Sequence, residues 1–344
     1  MGREQSMRAL SGLLIFLASV SSVTLAGNSL TTQPTGLAAK YLGDEGISKD
    51  KAVLLHDNFE ASEINKSKWT SITAKPGVAR LTGKTMEVHR GRQALKMSAT
   101  MGKDTGGSLF AVFPGGHETM HVRYCVKFAE DIDYIHHFVH LTANYPPVSR
   151  PGGKAGTRPK GDDRFTVAVE PWGRWRRYPK PGGWHYYCYW WKMPRSKDGH
   201  FWGQDFADKP YAIPCPGKWY CVEFMAKCNT PGKPDGETAF WLDGKKVAHH
   251  KEINWRSSAK LKLNGLWLML YVTDRSATDA KPGKVNRVWF DDVVVATEYI
   301  GPPTAAKLKV PISERQTQGT PHHRLKQRVR GLLDRAGKRK LPLD

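Results

Sequence analysis

From Ala52 to Ala296 the chain is a succession of short runs of β-forming residues, cut by Gly, Pro, Asn and Asp and lacking a sustained helical period. That pattern admits strands of ordinary length and excludes both a helical bundle and a regular alternation of strand and helix. The expected strands are Ala52 to His56, Thr85 to His89, Ala94 to Thr100, Ser108 to Phe113, His121 to Phe128, Ile135 to Thr142, Arg164 to Glu170, His185 to Trp191, Lys218 to Ala226, Thr238 to Leu242, Lys245 to His249, Gly265 to Val272 and Val288 to Ala296. So many strands suffice for two packed sheets, and the fold class expected is all-β, a two-sheet antiparallel β-sandwich with a basic C-terminal tail. Asp243-Gly244, between Phe240-Trp241-Leu242 and Lys245-Lys246-Val247, predicts a two-residue hairpin turn whose central residues accept positive φ. In His121 to Phe128 the residues Val122, Tyr124, Val126 and Phe128 share one face and Arg123, Cys125 and Lys127 the other, so one face is buried.

The ends differ from this middle. A basic stretch, Met1 to Arg8, precedes an apolar run to Val23 and the small residues around Ala26. Residues 1–26 therefore read as a secretory signal peptide, with a retained anchor as the alternative, and the mature protein is expected to be exported, periplasmic or extracellular, with no transmembrane span. Residues 27–51 read as a linker, 52–301 as the β domain and 302–344 as the tail. Five cysteines (Cys125, Cys188, Cys215, Cys221 and Cys228) are too few for a disulfide scaffold, and their connectivity is open.

Charge narrows the choice of partner. The chain carries a formal net charge of +21, of which the tail holds +8 and the domain +12. A domain this basic attracts polyanions, and export makes nucleic acid the less expected of them. In the tail, Leu325, Val329, Leu332 and Leu333 fall on one helical face among arginines. It is expected to be disordered or a short amphipathic helix that contacts an anionic envelope surface. A monomer is expected.

Candidate chemistry concentrates between Tyr134 and Lys192. Arg150, Lys154, Arg158, Lys160, Arg164, Arg174, Arg176, Arg177 and Lys180 are interleaved there with Trp172, Trp175 and Trp184. Aromatic faces stack on pyranose rings while guanidinium groups bind carboxylates, a combination suited to a uronate chain. Strict alternation in Ile135 to Thr142 places His136 and His140 on one face with Phe138, and His137 on the other with Val139 and Leu141. Such a groove pair supplies a general base or a carboxylate neutraliser, yet His136 and His140 stand roughly 13 Å apart, too far to hold one metal unaided. Alternation in the next aromatic strand groups His185, Tyr187, Tyr189 and Trp191, followed by Lys192. Tyrosine suits the acid or base step of β-elimination provided that neighbouring cations lower its pKa. Glu130, Asp131 and Asp133 form an acidic cluster at a strand end, a poor match for a hydrolase pair across a groove.

The order of motifs resembles a known group of enzymes. Val122-Arg-Tyr-Cys-Val-Lys-Phe128, Asp131-Ile-Asp133-Tyr134, Gly152-Gly153-Lys154 and Gly161-Asp162-Asp163-Arg164-Phe165 carry the first half. Pro216-Gly-Lys-Trp219, Asn229-Thr-Pro-Gly-Lys233, Asp235-Gly236, Trp241-Leu-Asp-Gly-Lys245, Ile253-Asn-Trp-Arg256 and Val288-Trp-Phe-Asp-Asp-Val-Val294 carry the second. Together they resemble polysaccharide lyases of families fourteen and twenty, the alginate and glucuronan lyases, over Ala52 to Gly301. The resemblance implies a concanavalin-like jelly roll that binds an acidic polysaccharide across its concave sheet and cleaves it by β-elimination. No organic cofactor is implied; a structural calcium ion at Glu60 near Asp291 or Asp292 is. The chain departs from the family at the site, where a Gly-Gly-Lys-Leu-Pro-Gly run is expected directly after Asp133-Tyr134-Ile135 and His136-His137-Phe138-Val139-His140 stands instead.

The reading that follows is a lyase of an acidic polysaccharide, with a non-catalytic carbohydrate-binding module and a glycoside hydrolase on the same fold as alternatives. His136, His140, Tyr187 and Tyr189 are the expected catalytic residues. Lys154, Arg164, Trp172, Arg174, Trp175, Trp184, His185 and Lys192 are the expected substrate-binding residues.

Overall fold

The computed structural model describes residues 36–206, 211–274, 276 and 281–304. The expected signal peptide and almost all of the tail lie outside these residues. Fourteen strands follow one another: β1 (Val53–Asp57), β2 (Ser71–Thr73), β3 (Ala79–Thr82), β4 (Ala94–Thr100), β5 (Gly106–His117), β6 (Thr119–Phe128), β7 (His137–Asn144), β8 (Arg164–Trp172), β9 (Gly183–Tyr186), β10 (Trp219–Lys227), β11 (Gly236–Leu242), β12 (Lys245–Ile253), β13 (Leu263–Tyr271) and β14 (Val285–Ala296). Among the described residues the only helical segments are four short 3-10 turns, and no helix is long and apolar enough to cross a membrane.

The strands form two antiparallel sheets. An eight-stranded sheet runs β12-β11-β10-β6-β14-β4-β3, with β1 beside the C-terminal half of β14; a six-stranded sheet runs β2-β5-β13-β7-β8-β9. Alternation explains the packing between them. Val122, Tyr124, Val126 and Phe128 of β6 face Val139, Leu141, Phe165, Val167 and Val169 of β7 and β8 across a single buried core. The rings of Phe128, Phe138, Tyr124 and Phe290 pack at its centre in tilted and edge-on pairs. Asp243 and Gly244 join β11 to β12 with φ of 50° and 78°, as the hairpin reading requires.

Three expected elements differ. Thr85 to His89 is not a strand: Thr85–Glu87 is a 3-10 turn, held where the Glu87 carboxylate accepts from the Thr82 hydroxyl and the Lys96 ammonium. The short edge strands β2 and β3 lie upstream of it. The strand expected over His185 to Trp191 ends as a regular ladder at Tyr186, although Tyr189 still bridges Thr166 and Cys188 bridges Gln204. Finally, much of the stretch expected as a linker is packed. Leu37, Ala38, Ile47 and Ala52 bury against Val294, Ala296 and Ile300, and Asp44 meets the fully buried Arg123 guanidinium at 2.5 Å.

Candidate active site

The outer face of the six-stranded sheet forms the floor of a groove of about 740 Å³. Its lining includes His136, His137 and His140 from β7 and the residue before it, Arg164 and Thr166 from β8, Tyr187 and Tyr189, and Trp267 and Tyr271 from β13. The loop carrying Gly152, Gly153 and Lys154 also lines it, with Trp202 close to that loop at Gly156.

The histidine arrangement departs from strict alternation. Between Leu268 and Tyr271, β13 spans one residue more than β7 does between Val139 and His137. This irregularity turns Phe138 and Val139 both into the core, so His137 and His140 emerge together on the groove side. His137, not His136, is therefore the partner of His140. The Phe138 N–H donates to Glu170 at 3.1 Å.

Glu170 organises the cluster. It lies on the groove-facing side of β8, two residues on from Ala168, and is 2% exposed. One carboxylate oxygen lies 3.2 Å from His137 Nδ1, the other 3.3 Å from His140 Nε2, and His185 Nε2 is 4.0 Å away. Burial opposes its ionisation, but the charges and hydrogen bonds of His137 and His140 outweigh burial and hold the carboxyl well below the usual range. Burial pushes His140 and His185 down, against the pull of the Glu170 carboxylate. An ionised carboxylate beneath two imidazoles orients them and stabilises a positive charge that forms on either. One ring nitrogen each of His137 and His140 and a Glu170 oxygen also lie within 4.8 Å of one another, a donor set that suits a zinc-like ion.

Tyr187 lies beside this cluster. Its ring is 5.0 Å from that of His137, and its hydroxyl is 3.3 Å from that of Tyr189. Gly203 makes room for it, since a Cβ there would stand 2.4 Å from the Tyr187 ring. Burial and the Tyr189 phenol push Tyr187 up. The condition set on tyrosine, cations that lower its pKa, is thus not met, and the Tyr187 phenol keeps its proton.

Comparison with known proteins adds the fold. No protein-family model matches the chain, nor does any curated protein. Among solved structures, alginate lyase Aly36B is similar with a TM-score of 0.51 and 14% identity, covering 72% of this chain and 96% of that one. Alginate lyase vAL-1 from Chlorella virus is similar with a TM-score of 0.50 and 15% identity, covering 69% and 98%. The fold is polysaccharide-lyase-like. This lyase-like sandwich brings six of the expected residues, His136, His140, Tyr187, Tyr189, Lys154 and Arg164, to one groove. The Gly152-Gly153-Lys154 loop reaches it despite its displaced position in the chain. Arg164 is braced there by Asp163 at 2.7 Å and by the Thr157 carbonyl and hydroxyl at 2.8 Å.

Other expected positions lie elsewhere in the lyase-like sandwich. Trp184 is not a stacking platform: it is 1% exposed and packs on Phe128 and Phe138 inside the core. His185 is buried beneath the surface, under Trp172. Trp172, Arg174 and Trp175 sit beyond Glu170 at the end of β8, where positive φ at Arg174, Trp175 and Arg176 throws Trp175 into solvent, 79% exposed. Lys192 lies outside the groove, its ammonium 4.8 Å above the Trp191 ring.

The calcium ion implied by resemblance finds little room. Glu60 accepts from the Arg92 and Gln93 amides and from Arg92 Nε. Asp291 accepts from the amides of His89, Arg90 and Asp292, and Asp292 is paired with Arg90 and His89. These carboxylates are ringed by donors and cations, so the residues do not fit a calcium site.

Proposed function

We propose that this chain is a polysaccharide lyase that cleaves an acidic, uronate-containing polymer by β-elimination, of the kind found in families fourteen and twenty. The observation that carries the reading is the Glu170 carboxylate beneath His137 and His140, with the Tyr187 and Tyr189 phenols alongside in one basic groove. His137 is the more exposed imidazole, 23% against 8% for His140. Its Nδ1 is committed to Glu170, so Nε2 takes the C5 proton while Glu170 stabilises the imidazolium. The C4–O bond breaks as the C4–C5 double bond forms, and Tyr187 or Tyr189 protonates the departing oxygen. Lys154 and Arg164 face the substrate carboxylate, whose neutralisation makes the C5 proton acidic. Hydrolysis is disfavoured on a specific ground: among the described residues the groove floor offers one acid, Glu170, buried beneath the histidines, where that reaction needs two across the groove.

We read the protein as exported and acting on polymer outside the cytoplasm, in keeping with its N-terminal segment. Incubation of the full chain with alginate and with glucuronan tests the activity. New absorbance at the unsaturated-uronate band is expected. Reducing ends without that absorbance would indicate a hydrolase, and binding without cleavage a carbohydrate-binding module; either result overturns the proposal.

A further inference from the structure

On the eight-stranded sheet, away from the groove, Cys125 of β6 stands directly opposite Cys221 of β10. The backbone shows which kind of opposition this is. The Cys221 N–H donates to Asp243 Oδ1 at 2.7 Å, and its carbonyl accepts from the Asp243 N–H at 2.8 Å. Both main-chain groups of Cys221 thus point toward β11, so Cys221 and Cys125 form a non-hydrogen-bonded pair. Such pairs hold their Cα atoms about 4.5 Å apart, within the roughly 4.4–6.8 Å that a disulfide spans. Directly opposed residues share a face, so the two side chains are neighbours on the outer side of the sheet.

The remaining cysteines have no such arrangement. Cys188 lies in the core between the sheets, Cys228 sits at the far end of β10 near the His117 carbonyl, and Cys215 lies in the exposed loop before β10. A metal is the competing use of Cys125, because its sulfur, a His89 nitrogen and an Asp292 oxygen lie within 4.8 Å of one another. The Arg90 guanidinium, 3.0 Å from that Asp292 oxygen, opposes a cation there.

We propose that Cys125 and Cys221 are a redox-active pair that closes into a cross-strand disulfide on exposure to a small-molecule disulfide such as oxidised glutathione. Cys221 is partly exposed and Cys125 fully buried. Hydrogen bonding to Cys221 and burial also push the Cys125 thiol up, so reaction begins at Cys221. The Cys221 thiolate attacks the glutathione disulfide, forming a mixed disulfide and expelling one glutathione thiolate. Cys125 then loses its proton to that thiolate and attacks Cys221 Sγ, expelling the second glutathione. Two protein thiols are oxidised and one disulfide is reduced to two thiols. The bond clips two neighbouring strands of the outer sheet, and no part of the inference depends on the lyase reading.

Peptide mapping of the full chain provides the test. The protein is reduced, freed of reductant, treated with oxidised glutathione, alkylated in denaturant and digested. A single cross-linked pair joining the Cys125 and Cys221 peptides is expected, with Cys188 and Cys228 alkylated. The oxidised protein should melt roughly 5–10 °C above the reduced one, a difference absent from Cys221→Ser. Alkylation of both residues, glutathione retained on Cys221, a bond to Cys215, or protection accompanied by stoichiometric metal would each overturn the proposal. The mapping uses the natural sequence and stands even where a variant fails to fold.

Discussion

Glu170 is one acid in a stretch crowded with cations, and by composition it reads as one more solvated charge. Its position in the sheet gives it a different character. Counting by twos along β8 from Arg164 and Thr166 leads to Glu170 on the groove-facing side, a parity visible in the sequence, but burial beneath His137 and His140 is not visible there. Glu170→Gln keeps the size of the side chain and removes the charge. It is expected to lower kcat on the order of 10²-fold or more with little change in KM, read from the formation of unsaturated uronate. Tyr187→Phe should cut kcat by a similar order, since the phenol is the proposed proton donor; full activity in both Tyr187→Phe and Tyr189→Phe would remove tyrosine from the mechanism. The grouping of Tyr187 and Tyr189 was legible from alternation, whereas the pairing of His137 with His140 was not. The register irregularity between β7 and β13, far along the chain from the histidines, is what sets His137 beside His140.

At the scale of elements, alternation identified most strands because each has one face in the core, and it failed where that condition lapses. β2 and β3 are short edge strands with partly exposed residues, and Thr85–Glu87 curls because Glu87 finds partners at Thr82 and Lys96. Tryptophan in a basic loop was read as a sugar platform throughout, but the two ends of that loop have opposite fates. Trp184→Ala opens a hole beside Phe128 and Phe138 and should cost about 3–5 kcal/mol of stability, measured by denaturant unfolding. Trp175→Ala should leave the unfolding midpoint unchanged, because its ring is in solvent. The hairpin gives a stricter case. Gly244→Ala demands positive φ of an alanine and sets its Cβ 2.8 Å from Pro302, so a loss of about 1 kcal/mol or more is expected in the same assay.

The whole molecule depends on groups that alternation cannot weigh, because they act between distant parts of the chain. Arg123 is buried in β6 and is balanced by Asp44 from the N-terminal turns. A chain starting at Ala52 would leave that guanidinium without its carboxylate, at an expected cost of about 3–5 kcal/mol. Acid tests a second dependence. Burial depresses His56, His140 and His185 from their ordinary value of 6.5, so the unfolded chain takes up protons that the folded one refuses. Stability is full above that value and falls as the pH drops below it, so the melting temperature should decline between pH 7 and pH 5. His140→Gln should make that decline shallower.

The N-terminal turns have a further consequence. Leu37, Ala38 and Gly43 donate backbone hydrogen bonds to Tyr299, Ile300 and Thr304, at 3.0, 2.8 and 3.1 Å. The first and last described segments of the sandwich therefore run side by side, and the fold is nearly a closed circuit. Joining those segments through a short linker and opening the chain at the exposed Gly232–Lys233 turn, where nothing crowds Gly232, should yield a circular permutant with the same groove.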